Sequence, residues 1–145
     1  MPLHQFLFAI RFIHDITVQS AIGCVFEGGR GVNLSMDHHR WAPYENLFTD
    51  LDGGRGSRLF QSSGGGMRGQ HTAAGETCWN IRGKMSLPWS KGFGPDQINI
   101  VGLPVTNQPD LKPGGRWQEK CVPGQLQPAD LHAAMLARRL AAGGR

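Results

Sequence analysis

The amino-acid sequence predicts a mainly β protein, built as a solenoid of short strands and closed by one C-terminal α-helix. Three observations lead there. A polar residue followed by a short branched or apolar run recurs at Asp15-Ile16-Thr17-Val18, Asn33-Leu34, Asn46-Leu47-Phe48, Asn80-Ile81 and Asn99-Ile100-Val101. Short strands that return every 20 to 30 residues or so are the pattern of a repeat architecture. Glycine supplies 21 of the 145 residues, about twice the usual share of ~7%. It falls in clusters, Gly28-Gly29, Gly53-Gly54, Gly64-Gly65-Gly66 and Gly114-Gly115, which punctuate the chain with tight turns. Good helical spacing of apolar residues is found in the tail.

Taken in order, residues 6–18 are rich in β-branched and aromatic side chains and alternate from Arg11 onward, which predicts one strand or two consecutive strands. Ala21 to Phe26 is a further apolar segment, Val32 to Met36 the next strand, and Glu45 to Leu51 another after Pro43. Residues 52–75 are glycine-rich and polar, a long loop with one short strand around Ser57 to Gln61; loops of this length in a compact domain are usually functional. Strand character returns at 76–82, at 97–103 and at 116–122. In the tail, residues 128–142 predict a helix. Pro128 suits its first turn and Asp130 its positive end. Leu131, Met135, Leu136 and Leu140 trace one stripe, read as a docking face.

The spacing of the strands is irregular, with long excursions between them. An up-and-down barrel would favour regular hairpins with two-residue turns. Irregular rungs suit a right-handed parallel β-helix, and a β-sandwich is the alternative.

Composition narrows the function classes. The net charge is +4, with 15 basic and 11 acidic residues interleaved along the chain. A nucleic-acid face needs Lys and Arg gathered on one element, so no nucleic-acid partner is expected. No run of 18 apolar residues exists, so no membrane span is expected. The apolar N-terminus is short, lacks a basic leader and is interrupted by Arg11; it reads as strand rather than as a convincing signal peptide. Cys24, Cys78 and Cys121 are widely spaced and odd in number, which argues against a structural zinc site or a full disulfide framework. Buried free thiols are the default expectation.

Residues 31–66, GVNLSMDHHRWAPYENLFTDLDGGRGSRLFQSSGGG, resemble the late rungs of bacterial right-handed parallel β-helix proteins of the pectate-lyase-like superfamily. Residues 71–83, HTAAGETCWNIRG, continue the likeness, and residues 128–140, PADLHAAMLARRL, are similar to the closing segment of some of these chains. The resemblance implies residues 1–122 as β-helix rungs, N-terminally truncated, and residues 123–145 as a tail with a closing helix. It implies a secreted or periplasmic full-length protein that acts on or binds polysaccharide. Its expected partners are the polysaccharide itself and either missing N-terminal rungs or further copies in a homo-oligomer. No cofactor is required by the residues, with calcium, frequent in that superfamily, as the one candidate; Asp50 and Asp52 would contribute oxygen ligands from one strand face.

The densest polar group is Asp37-His38-His39-Arg40. A lyase acting on a uronic acid needs a base to take the proton beside a carboxylate and a positive charge to stabilise the resulting enolate. His38, His39, Arg40 and Arg58 are therefore the catalytic candidates. On a strand, His38 and Arg40 would face one way and Asp37 and His39 the other. Asp37, Trp41, Tyr44, Arg55 and His71 are the substrate-binding candidates: aromatic rings stack on sugars, and arginines meet carboxylate or sulfate. A metal held by His38, His39 and His71 lacks a diagnostic spacing. A glycosidase would need two facing carboxylates, for which Glu45, Asp50 and Glu76 are the supply. The bland alternative is a non-catalytic structural or glycan-binding solenoid end, with the cluster in a polar turn.

Overall fold

The computed structural model describes residues 7–8, 15–41, 43–59, 73–85, 99–102, 116–118 and 124–143. Among the described residues nine short strands precede one helix: β1 (Leu7–Phe8), β2 (Ile16–Gln19), β3 (Val25–Glu27), β4 (Arg30–Gly31), β5 (Met36–Arg40), β6 (Leu47–Thr49), β7 (Thr77–Trp79), β8 (Asn99–Val101), β9 (Arg116–Gln118) and α1 (Leu131–Gly143). The protein is mainly β, with short parallel sheets and a C-terminal helix. β1 pairs with β4, β2 with β5, and β3 with β6, so three strands in order pair with the next three in the same order. The third pairing extends into a five-stranded sheet, β3-β6-β7-β8-β9. Every strand–strand pairing among the described residues is parallel. An antiparallel β-sandwich is not what these residues form.

The register corrects the sequence repeat. Val25, Leu47, Thr77, Asn99 and Arg116 stand side by side, so the interval swings from 17 residues (Asn99 to Arg116) to 30 (Leu47 to Thr77). Asn46, Asn80 and Asn99 are not equivalent. Asn46 precedes its strand, Asn80 follows one, and Asn99 opens one. An Asn beside an apolar run therefore marks three different backbone positions rather than one repeat.

The strands are short because the backbone leaves the β region at matching places. Gly28, Asp50, Asn80 and Gly102 directly follow β3, β6, β7 and β8, and all have positive φ, from 51° to 67°. Glycine has no Cβ to clash there, and Asp and Asn are the side chains that tolerate this conformation best. The ladder nonetheless continues through the corner: the N–H of Asp50 donates to Trp79 O (3.1 Å) and that of Asn80 to Val101 O (2.9 Å). Ser20 and Trp41 make a second positive-φ pair after β2 and β5.

The core consists of Val18, Leu34, Met36, Phe48, Leu51, Leu59, Ala73, Cys78 and Ile81, all buried. The Phe26 and Phe48 rings stack, with centroids 4.8 Å apart and planes within 9°. Burying a side chain such as Phe48 stabilises the fold by about 1.5–3 kcal/mol. The expected strand at 32–36 is shifted: the strand is Met36–Arg40, so the polar cluster itself is extended backbone rather than a turn. The expected strand near Ser57 to Gln61 is a turn over residues 57–59, with residues 60 and 61 outside the described part.

The tail helix begins three residues later than expected. Pro128 lies ahead of it rather than in its first turn, and the carboxylate of Asp130 accepts a hydrogen bond from the N–H of Ala133 (3.2 Å), capping the helix. Met135, Leu136 and Leu140 are exposed, so the stripe read as a docking face is not covered by the described residues. Instead, contact with the sheet runs through the first turn, where the N–H of Leu131 donates to Thr49 Oγ1 (2.9 Å) and His132 Nδ1 lies 2.6 Å from Glu27 Oε2.

Candidate functional site

Strand β5 carries the polar cluster, and its period of two divides it. His38 faces inward. Its ring lies 5.7 Å from that of Phe48, centroid to centroid, and its exposure is 0%. Nδ1 lies 3.1 Å from Met36 O. A carbonyl oxygen only accepts, so Nδ1 carries a proton and donates it. Nε2 lies 3.0 and 2.8 Å from the two carboxylate oxygens of Glu76, also fully buried. The Glu76 carboxylate thus faces Nε2 with both oxygens. Asn46 completes the network: its amide donates to Glu76 Oε1 (2.9 Å) and to Ala21 O (3.1 Å), and its Oδ1 accepts from the N–H of Cys24 (3.0 Å). Cys78 lies nearby in the core, and burial, reinforced by the Glu76 charge, pushes its thiol well above the ordinary range.

The opposite side of β5 presents Asp37 and His39, with His39 Nδ1 3.6 Å from Asp37 Oδ2. Asp37 is buried while His39 is partly open. Asp37 and His39 thus lie on one side, while the burial of the Arg40 side chain is outside what is described. Arg40 ends β5 opposite Gln19, beyond a register shift after Val18. Trp41 follows at the positive-φ corner and is 60% exposed. Tyr44, 38% exposed, bridges to Ile22, itself exposed. Arg55 is exposed and its N–H donates to Val32 O (2.8 Å), while Arg58 is half-buried in the adjacent turn. His71 lies outside the described residues, as do Arg68 and Cys121.

The structure thus separates the candidates. His38 is an interior group whose two ring nitrogens are engaged with Met36 and Glu76, and it offers no surface to a polymer. His39, with Asp37 beside it, is the histidine of the pair that solvent reaches. A carboxylate next to an imidazole can orient it as a proton acceptor, although 3.6 Å is longer than a hydrogen bond. Among the carboxylates considered for hydrolysis, Glu76 is interior and Asp50 is bound by Arg82 Nη1. Asp50 and Asp52 do not share a strand face: Asp50 sits at the corner, and Asp52 accepts from the N–H of Gly54 (2.9 Å). Among the described residues, no group of three or more His, Cys, Asp or Glu side chains is placed to hold a metal ion, and no helix is long and apolar enough to cross a membrane.

Two features escaped the sequence. The first is the partnership of His38 with Glu76 and Asn46, residues 38 and 8 positions away. The second is the outer side of the five-stranded sheet, where Glu27, Thr49 and Trp79 stand in one row. Trp79 is half-buried there, and its indole N–H donates to Pro128 O (2.7 Å).

No protein-family model matches this chain, and no curated protein or solved structure matches it either.

Proposed function

We infer that the chain winds as a unit of a right-handed parallel β-helix and binds polysaccharide outside the cell, at the corner that carries Trp41 and Tyr44. The winding is supported by three consecutive strands pairing in parallel with the next three in the same order; parallel crossovers in one sheet are nearly always right-handed. The observation that carries the binding reading is the exposure of Trp41. Its indole is held out at a corner of fixed backbone, close in sequence to Tyr44 and to the outward His39. An exposed aromatic beside polar groups offers apolar area for a sugar ring and hydrogen bonds for its hydroxyls. Arg55 supplies positive charge for an acidic sugar.

Binding without catalysis is favoured over a lyase because His38 is interior. If a lyase reaction does occur, His39 is the base and Asp37 orients it. Affinity electrophoresis through gels containing uronate polymers or neutral glucans separates the readings, with release of unsaturated uronate followed by absorbance in parallel. Retardation on at least one polymer, weakened about ten-fold by Trp41→Ala, which is roughly 1.4 kcal/mol, supports binding. Equal mobility of the wild type and Trp41→Ala on every polymer would sink it. Uronate absorbance abolished by His39→Ala would move the conclusion to a lyase.

A further inference from the structure

The outer row of the five-stranded sheet is occupied by the chain's own C-terminal segment, and the contacts are made to its backbone. The indole N–H of Trp79 donates to Pro128 O (2.7 Å). The side-chain amide of Asn80 donates to Ala129 O (3.0 Å), while its Oδ1 accepts from the N–H of Gly124 (2.8 Å). Thr49 Oγ1 accepts from the N–H of Leu131 (2.9 Å), and Glu27 meets His132. Glu27, Thr49 and Trp79 are register partners on β3, β6 and β7, so three neighbouring strands present a row of side chains to one stretch of main chain. Asn80 is fixed at its positive-φ corner, which aims both ends of its amide at two separate peptide groups. Four of the five contacts read backbone, and the fifth reads one side chain, His132. That is the chemistry of a peptide-docking site, in which main-chain hydrogen bonds supply the grip and a side-chain contact supplies selectivity.

We propose that the row Glu27–Thr49–Trp79–Asn80 is a peptide-docking site that takes residues 124–132 of a second copy of this chain as well as its own. The occupant is specified by the contacts themselves: any second copy carries the same backbone groups and the same His132. The segment leads into α1, whose Met135, Leu136 and Leu140 are exposed, so little beyond the first turn holds the helix to its own sheet. Exchange of an identical element between copies is a low-cost route to association. The segment in cis competes with any segment in trans at an effective concentration in the millimolar range, as for short linkers in general. The full chain therefore stays largely monomeric when dilute and gains exchange when the cis contact is weakened.

The test uses the full chain and a fluorescein-labelled peptide of residues 123–143, followed by anisotropy. Leu131→Pro removes the N–H that reaches Thr49, at the first helical position, where proline is tolerated. His132→Ala, at a partly exposed site, provides a second weakened arm should the proline variant fail to fold. The peptide is expected to bind the wild-type chain with an apparent Kd near the millimolar range set by the cis arm. It should bind either weakened-arm chain at least ten-fold more tightly. Adding Trp79→Phe, which keeps the ring and deletes the indole donor, should reverse that gain. Equal affinity for wild-type and weakened-arm chains overturns the proposal, as does indifference to Trp79→Phe.

Discussion

Replacing Glu76 by Ala tests the interior network most sharply. The Glu76 carboxylate accepts from His38 Nε2 at both oxygens and from the Asn46 amide, and all three side chains are buried. Without it, the Nε2 proton and one Asn46 N–H lose their acceptor in a site that excludes water, and a void opens beside them. Each buried polar group left unpaired costs about 1–3 kcal/mol, and breaking a buried ion pair from one side costs about 3–5 kcal/mol. The expected loss is therefore about 3–5 kcal/mol, a large part of the 5–15 kcal/mol that stabilises a typical domain. Glu76→Gln keeps the shape and one acceptor oxygen, so it should cost roughly half as much. Urea unfolding followed by tryptophan fluorescence and by circular dichroism measures both, with Lys84→Ala, an exposed site, as the control. A Glu76→Ala midpoint within about 0.5 kcal/mol of that control, the range of an ordinary surface change, would refute the network as described.

Two further outcomes follow from the same geometry. Burial and the Glu76 charge hold the Cys78 thiol well above its ordinary value of 9.0. A group whose folded value is raised keeps its proton more firmly in the native state, so its contribution is fully present below about pH 9 and is lost as pH rises toward the folded value. Urea midpoints should fall as pH rises above about 9 in the wild type and fall less in Cys78→Ala. Gly54 and Gly23 both have positive φ, but a Cβ on Gly54 would lie 2.1 Å from Gly31 O, while one on Gly23 meets nothing within 4 Å. Gly54→Ala should therefore cost well over the ~1–3 kcal/mol of backbone strain alone, and Gly23→Ala no more than that strain. Comparable thermal midpoints for the two variants would contradict the packing at Gly31–Gly54.

Much of the architecture was legible because it rests on local chemistry. The apolar runs at Ile16 to Val18, Leu47-Phe48 and Asn99 to Val101 do form strands, and Gly28 does mark a positive-φ corner; the clusters Gly64 to Gly66 and Gly114-Gly115 lie outside the described residues. The tail does form a helix, since Leu131 to Gly143 combines good helix formers with an Asp cap. The register was not legible, because it depends on which residues meet between parallel strands separated by unequal lengths of chain. Asn46 lines up with Glu76 rather than with Asn80, and only pairing Phe48 with Cys78 reveals this. The same pairing, carried two residues back, would have found the buried Glu76 that Gly75 introduces. The alternation of Asp37 and His39 against His38 followed from strand periodicity alone. What periodicity could not supply was the direction of burial, which put His38 inside. The contact of Trp79 with Pro128 was equally out of reach, because its partner lies 49 residues away.

The parallel pairing of the strands is the claim on which the site and the docking row both stand. Assigning the backbone amides and Hα protons of the full chain by NMR and recording interstrand nuclear Overhauser effects tests it most directly. The N–H of Leu47 donates to Cys24 O (2.8 Å), that of Thr77 to Asn46 O (2.9 Å), and that of Asn99 to Glu76 O (2.7 Å). In a parallel pair each of these N–H groups faces the Hα of its register partner, so the pairing predicts amide-to-Hα cross-peaks linking Leu47 with Val25, Thr77 with Leu47 and Asn99 with Thr77, with no strong Hα–Hα pairs between these strands. Strong Hα–Hα cross-peaks between them, the mark of antiparallel neighbours whose Cα atoms approach to ~4.5 Å, would contradict the fold and everything built on it.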